Sequence, residues 1–198
     1  MEENVFEQMA KRYDSDERKE LARIVAEEVK PEVQDSRSKS LIDYGSGTGL
    51  VGLALADLVE SILLVDSSQQ MLEVAQAKIS RGEITNAKVL YTDFTQESPE
   101  LQADIVLVSL VLLHVPDTKK ILQELYNVLT EDGKLIIIDF DKNEKVTHPK
   151  VHNGFVHEEL KQLLSEVGFK DIEIRNFYSG KNIFVNEDAT MLISTSRK

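Results

Sequence analysis

The apolar residues of this chain fall into short continuous runs separated by longer amphipathic stretches. Runs near 40–44, 61–65, 87–91, 103–109 and 134–140 are too short for helices. Such runs are typical of strands that are buried on both faces of a parallel sheet. Helical spacing predicts helices between several of them, near 50–56, 69–80 and 116–129. The alternation predicts right-handed βαβ units, and therefore a doubly wound parallel α/β sheet.

The C-terminal part departs from this alternation. After a predicted helix over 157–167, strands over 171–177 and 183–194 are separated only by residues 178–182. No helix fits in so short a connection, so this pair is predicted to form an antiparallel hairpin.

The N-terminal residues are highly charged and have two apolar helical faces. These faces consist of Val5, Phe6, Met9 and Tyr13, then of Leu21, Ile24, Val25 and Val29. We expect two helices that break near Asp14 and Ser15, one of which caps the second helix, and Pro31 is expected to end it. We predict one domain over 1–198, with an N-terminal helical cap (1–38) and an α/β core (39–198).

Three closely spaced glycines follow the first predicted strand. Gly45, Gly47 and Gly49 can take positive φ and let a ligand approach the main chain closely. A helix that begins beyond them would direct its unpaired amides at the turn, which favours a nucleotide-like ligand. The alternative is a tight turn that binds nothing. The Gly47–Gly52 segment also fits the dinucleotide pattern G-x-G-x-x-G, with Asp66 19 residues after Gly47.

Polar residues recur where predicted strands end, and ligands of open parallel sheets bind at those ends. Asp66 follows the second strand and could accept hydrogen bonds from both hydroxyls of a ribose. A plain helix cap is the alternative role for Asp66. Asp93 with Phe94, and Ser109 with Leu110, follow later strands.

The pattern Asp43-x-Gly45-x-Gly47-x-Gly49 resembles the first motif of class I S-adenosylmethionine-dependent methyltransferases of the small-molecule type. The segment from Val65 to Leu72 resembles their second motif, and Asp93-Phe94 resembles the third, in which these residues contact adenine. A turn residue beside a core phenylalanine is the alternative for this pair. Asn127 and Glu131-Asp132 depart from the family pattern at predicted surface positions.

This resemblance implies a Rossmann-like, doubly wound, seven-stranded sheet that is mostly parallel, with one antiparallel strand near the C-terminus. It also implies S-adenosyl-L-methionine as the cofactor. The implied cofactor-binding residues are Tyr13, Asp43, Gly45, Ser46, Gly47, Gly49, Asp66, Ser67, Met71, Asp93, Phe94, Ser109 and Leu110.

Methyl transfer from a sulfonium needs alignment and exclusion of water, and a general base only if the acceptor must lose a proton. His114 follows the fourth strand and is the candidate base, with packing beside the cofactor as the alternative. His148 and His152 are four residues apart, but Pro149 interrupts a helix there, so no metal site is predicted. The aperiodic segment 141–156 is expected to help to choose the acceptor.

Composition narrows the function further. The 198 residues carry a net charge of −12, which argues against nucleic acid and anionic membranes as partners and favours a small-molecule substrate. The absence of cysteine excludes disulfides and thiolate chemistry. Without a signal peptide or a long apolar run, we expect a cytoplasmic protein. A non-catalytic adenosylmethionine-binding protein and an NAD(P)-dependent oxidoreductase are the alternatives, and the sequence does not predict an oligomeric state.

Overall fold

The computed structural model describes residues 10–94, 96 and 100–198. In this part of the chain, seven strands form a sheet of order β3-β2-β1-β4-β5-β7-β6, which confirms the predicted fold class. The chain divides into two compact units, Met1–Pro99 and Glu100–Lys198. The predicted apolar face of Val5, Phe6 and Met9 lies outside the described residues, and the single domain over 1–198 stays a prediction.

The first unit contains three parallel strands with helices between them. Its elements are a 3₁₀ turn (Ala10–Arg12), α1 (Asp16–Val33), β1 (Ser40–Tyr44), a 3₁₀ helix (Gly52–Leu58), β2 (Ser61–Asp66), α2 (Gln69–Arg81) and β3 (Ala87–Tyr91). Strand β2 pairs in parallel with both β1 and β3. The predicted stripe of α2 is buried because its apolar residues recur at helical spacing: Met71, Leu72, Ala75 and Ile79.

Helix α1 confirms one predicted boundary and corrects the other. The Ser15 hydroxyl accepts a hydrogen bond from the Arg18 amide (3.3 Å) and caps the helix, as expected. Pro31 does not end the helix, which continues to Val33. In this last turn a proline removes a single amide donor, the one that would reach the Glu27 carbonyl, and the helix tolerates that loss.

The second unit contains the other four strands. Its elements are β4 (Ala103–Ser109), a 3₁₀ turn (Leu112–His114), α3 (Thr118–Val128), β5 (Leu129–Phe140), α4 (His157–Val167), β6 (Lys170–Phe184) and β7 (Glu187–Arg197). Strands β4 and β5 are parallel, whereas β7 is antiparallel to both β5 and β6. Across the described ranges, no helix has the length and apolar character that crossing a membrane requires.

The C-terminal hairpin exists, but its predicted turn over 178–182 is wrong. Phe184 pairs with Glu187, so the connection consists of Val185 and Asn186. Both have positive φ, 52° and 64°, as a two-residue hairpin turn of the primed type requires. The signal was missed because a β-branched residue rarely adopts this conformation, whereas Gly180 resembled a turn residue. Gly180 instead lies within β6, next to a register irregularity.

Candidate functional site

The glycine turn follows β1 and has the backbone that its sequence predicts. Gly45, Gly47 and Gly49 have φ values of 70°, 54° and 76°. These values lie in the left-handed region, which residues with a Cβ atom adopt only at a cost. The turn therefore needs glycine at all three positions, which accounts for the spacing of two.

Several amides of this turn donate hydrogen bonds to other groups of the chain. The Gly45 and Ser46 amides donate to the Val65 carbonyl at 2.8 and 3.0 Å, and the Gly49 amide donates to the Ser46 carbonyl. The following helix is a 3₁₀ helix of seven residues that begins only at Gly52. An α-helix N-terminus aimed at the turn, which the sequence predicts, is therefore absent at this position.

The carboxylate of Asp66, at the end of β2, holds the glycine turn through hydrogen bonds to backbone amides. One oxygen accepts from the Gly47 amide at 2.8 Å and the other accepts from the Ser68 amide at 2.8 Å. An ionised carboxylate offers about four lone-pair sites, so two amide bonds do not exhaust its accepting capacity. Asp66 is partly exposed, and it can therefore bind hydroxyl donors from solvent while it orders the turn.

Ser46 provides an observation that the sequence could not. Its hydroxyl oxygen is buried and has no hydrogen-bond partner among the described residues. An unpaired buried hydroxyl costs roughly 1–3 kcal/mol, so native structures usually supply a partner. A polar ligand seated on the glycine turn would satisfy this hydroxyl, and the turn thus fits such a group.

Tyr13 covers the turn from the N-terminal side. Its ring lies 3.8 Å from where a Cβ atom on Gly47 would be, and the Arg18 guanidinium stacks 4.2 Å from the ring centroid. Burial raises the pKa of the Tyr13 phenol, while Arg18 acts in the opposite direction. The structure therefore brings together Tyr13, Gly47 and Asp66, as the sequence predicts.

Three further residues hold the turn and were missed by sequence reasoning. Thr48, between two of the glycines, is fully buried and contacts Asp14 and Lys78. Their only sequence signal is polarity at positions 14, 48 and 78. Nothing in the spacing of these positions predicts that the side chains meet.

Asp43 is a buried residue that supports the turn. The residue is 2% exposed, and its carboxyl group accepts a hydrogen bond from the Gly52 amide. Burial, and then the nearby Asp66, raise its pKa from 3.8 to about 7. A carboxyl group so enclosed would act on a bound ligand through the backbone of the turn, and the role of Asp43 in cofactor binding stays a prediction.

Replacing Asp43 by asparagine is expected to flatten the pH dependence of stability. The folded chain binds more protons at Asp43 than the unfolded chain between about pH 4 and 7, so wild-type stability falls as the pH rises through this window. Between pH 5 and 7 the wild type should lose about 2 kcal/mol relative to Asp43→Asn. Urea denaturation of both proteins at the two pH values measures this difference. If the free energies of unfolding of the two proteins change equally between pH 5 and 7, Asp43 is ionised throughout this pH range.

The remaining predicted residues of the first unit divide into exposed and buried positions. Ser67 is exposed, and Asp93 is partly exposed. Met71 and Phe94 are each 1% exposed, and Phe94 packs on Tyr44 with ring centroids 4.6 Å apart. Phe94 therefore packs as a core phenylalanine does, which was the alternative to contact with adenine. Its contact with a ligand stays a prediction.

In the second unit, Ser109 and Leu110 mark the end of β4. Leu110 has a φ of 56°, which is unusual for leucine, and its amide donates to the Ile138 carbonyl at 2.8 Å. Strained backbone of this kind clusters at functional sites. The roles of Ser109 and Leu110 in cofactor binding stay predictions.

The turn that carries His114 is held by two other residues of the second unit. The buried carboxyl group of Asp139 accepts from the Leu113 amide at 3.2 Å. The second residue is His152, which lies in the segment 141–156. Its ring Nε2 is 3.1 Å from the Leu112 carbonyl, and its backbone amide donates to the Leu113 carbonyl. The long segment after β5 is thereby fixed to the turn beside His114.

His114 is exposed at the surface of its unit, but neighbouring groups partly desolvate its ring. This desolvation lowers its pKa, and the neighbouring His148 and His152 lower it further. The imidazole is therefore neutral at pH 7 and can accept a proton, as a general base must. Within the described ranges, no group of three or more histidine, aspartate or glutamate residues is arranged to hold a metal ion.

Comparison with known proteins decides the family. A family model described as a methyltransferase domain matches residues 35–181, well over half of the chain. This chain belongs to that methyltransferase family. The family that the glycine and aspartate motifs indicate is thus confirmed.

Curated relatives are distant but consistently methyltransferases. A demethylmenaquinone methyltransferase from Geobacillus is 22% identical over 178 residues, covering 73% of this chain and 76% of the relative. An uncharacterized Bacillus subtilis methyltransferase, YcgJ, is 28% identical over 102 residues. The alignment covers 50% of this chain and 40% of YcgJ, and several other relatives are likewise matched over only about half of their length.

Solved structures show the same fold. A SAM-dependent methyltransferase from Aquifex aeolicus has a TM-score of 0.70 at 20% identity, with 95% of this chain and 97% of that chain covered. Phosphoethanolamine N-methyltransferase 2 from Haemonchus contortus, in complex with S-adenosyl-L-methionine, has a TM-score of 0.74 at 15% identity. This comparison covers 98% of this chain and 60% of the Haemonchus chain. At these identities the likeness supports the fold alone.

Proposed function

We propose that this chain transfers a methyl group from S-adenosylmethionine to a small-molecule acceptor. The observation that carries the proposal is the Asp66 carboxylate, which is bonded to the Gly47 amide and only partly buried. This carboxylate is a preformed hydrogen-bond acceptor at the carboxyl end of β2, and open α/β sheets bind ligands at the carboxyl ends of their strands. The match of residues 35–181 to a methyltransferase domain supplies the reaction class.

The residues of the first unit fit an adenosine group. Asp66 would accept hydrogen bonds from the ribose hydroxyls. The buried Ser46 hydroxyl would form a hydrogen bond with a polar group of the cofactor, and Tyr13 would cover the glycine turn. Asp93 would accept from the adenine amino group. Ser67 and Met71 complete the proposed set in this unit. When bound, the cofactor supplies a methyl group on a cationic sulfonium.

The contribution of the chain is alignment, exclusion of water and, for some acceptors, proton removal. Because His114 is neutral near pH 7, it can take the proton that a hydroxyl or protonated amine loses on methylation. Segment 141–156, fixed near His114 by His152, is the proposed acceptor-selecting element.

A small, neutral or cationic acceptor suits a chain with a net charge of −12. The Geobacillus relative is named for demethylmenaquinone and the Haemonchus neighbour for phosphoethanolamine, both of which are small molecules. We place the reaction in the cytoplasm and propose neither nucleic acid nor membrane as a partner.

Two measurements test the function. Calorimetry should show that the purified chain binds S-adenosylhomocysteine and not NAD⁺ or NADP⁺. Incubation with methyl-labelled S-adenosylmethionine and a metabolite extract should then place label in the small-molecule fraction. Preferential dinucleotide binding would indicate an oxidoreductase, and binding without any transfer would indicate a non-catalytic cofactor-binding protein.

Replacing His114 by glutamine tests the general base. If His114 removes a proton, turnover should fall at least tenfold while the Kd for S-adenosylhomocysteine stays within about twofold, since the substitution removes a base and keeps much of the side-chain volume. The measurements are steady-state turnover and calorimetry. A parallel loss of turnover and cofactor binding would assign His114 a packing role instead.

A further inference from the structure

A partly buried polar cluster joins three parts of the first unit that are distant in sequence. The Lys78 ammonium lies 2.6 Å from the Asp14 carboxylate, 2.8 Å from the Thr48 carbonyl and 3.0 Å from the Thr48 hydroxyl. The Thr48 hydroxyl donates to the other Asp14 oxygen at 2.5 Å. We call this cluster of Asp14, Thr48 and Lys78 the loop clamp.

Each N–H donor of the Lys78 ammonium has an acceptor within the loop clamp. An ammonium group has three N–H donors, and Lys78 finds three acceptors. The side chains of Lys78 and Asp14 are only 27% and 23% exposed. Charged hydrogen bonds shielded in this way are stronger than exposed ion pairs, which contribute little. The geometry is therefore specific enough to position the backbone that it holds.

The loop clamp acts on two segments of the proposed cofactor site. Thr48 lies between Gly47 and Gly49, so that fixing its carbonyl and hydroxyl fixes the glycine turn. Asp14 follows Tyr13, whose ring covers Gly47. Lys78 belongs to α2, a helix whose buried stripe packs in the core of this unit. The clamp thus ties both the turn and the segment that covers it to one rigid element.

We propose that Asp14, Thr48 and Lys78 are positioning residues that hold the glycine turn and Tyr13 in the conformation that binds S-adenosylmethionine. This inference rests on the proposed function of the turn. None of the three needs to touch the reacting atoms. Their effect falls on cofactor affinity, and the methyl-transfer step itself is unchanged.

Lys78→Met tests the proposal, because methionine keeps an apolar stem and removes all three donors. We expect the Kd for S-adenosylhomocysteine and the KM for S-adenosylmethionine to rise about fivefold, with kcat within twofold of wild type. Asp14→Asn, which removes the charge at the other end of the pair, should give the same pattern. Lys78→Arg, which keeps a cation, should recover part of the affinity.

The matched control is Lys30→Met. Lys30 forms a 2.7 Å ion pair with Glu27 on the outside of α1, where both side chains are more exposed. This variant should leave Kd and KM unchanged. Hydrogen exchange provides an independent readout: S-adenosylhomocysteine should slow amide exchange in residues 12–15 of the wild type, and less so in Lys78→Met.

The outcomes separate the two proposals. Failure of the wild type to bind S-adenosylhomocysteine overturns the proposed function. If the wild type binds and both clamp variants bind equally well, the positioning role is wrong, even where the melting temperature has fallen. A fall in kcat with unchanged KM also overturns it, because that result would place the clamp in the chemical step.

Discussion

Asp66→Ala is expected to weaken binding of S-adenosylhomocysteine tenfold or more, a loss of at least about 1.4 kcal/mol. Two effects combine in this result. The variant removes the proposed partner of the ribose hydroxyls, and charge-assisted hydrogen bonds of this kind contribute roughly 1.5–3 kcal/mol each when shielded. It also leaves the amides of Gly47 and Ser68 without the oxygens that they now bond. Isothermal calorimetry at constant pH and salt measures the change.

Asp117→Ala is the matched control for this loss. Asp117 also accepts an amide hydrogen bond, from Lys120 at 3.0 Å, but it caps α3 in the second unit. The Asp117→Ala variant should lose stability because a helix cap is removed, whereas its Kd for S-adenosylhomocysteine should be unchanged. Asp66→Asn, which retains one carbonyl acceptor, should lie between wild type and Asp66→Ala. If the Kd of Asp66→Ala equals that of the wild type, Asp66 is not part of the site.

Gly52→Ala is expected to destabilise the chain by about 3 kcal/mol, near the upper end of overpacking penalties. A Cβ atom at this position would collide with the Asp43 carboxylate and lie 2.7 Å from a methyl group of Leu64. Both neighbours are buried and have little room to move. The melting temperature should fall by about 6–12 °C, which differential scanning calorimetry measures.

Two further variants show whether the collision with Asp43 is the cause. In Asp43→Ala/Gly52→Ala the carboxylate is gone, so the double variant should lose less stability than the sum of the single losses. Gly82→Ala is the control in the same unit, because its backbone has an ordinary φ of −84° and its nearest neighbours are 3.2 Å away. It should cost under about 1 kcal/mol. A Gly52→Ala protein as stable as Gly82→Ala would mean that the contact with Asp43 is not tight.

Local sequence patterns predicted the secondary structure well where one interaction dominates. Helix α4 begins at His157 and ends at Val167 as expected, because its apolar residues recur at helical spacing and Gly168 ends it with a φ of 120°. The same reasoning failed where several tendencies compete. Val185 takes a turn conformation that its side chain disfavours, and the residues after the glycine turn form a 3₁₀ helix although their spacing suits an α-helix.

For the candidate site too, features set by local sequence could be predicted, and features set by packing could not. The glycine turn after β1 and the position of Asp66 at the end of β2 could be predicted because they depend on residue type and on short local motifs. The inward bonding of the turn amides could not be predicted, since it depends on how closely the turn approaches Val65 and Asp66. The burial of Phe94 against Tyr44 likewise depends on packing across the unit.

The sequence by itself determined the order of strands and helices, the family and the acidic residue at the end of β2, because periodicity and short motifs are local properties. Only the tertiary structure decided that Asp43 is buried with a raised pKa, that the Ser46 hydroxyl has no partner among the residues described, and that Asp14, Thr48 and Lys78 meet. Asp14 and Lys78 are 64 positions apart in the sequence. Contacts of this kind arise when distant segments pack, and no local pattern encodes them.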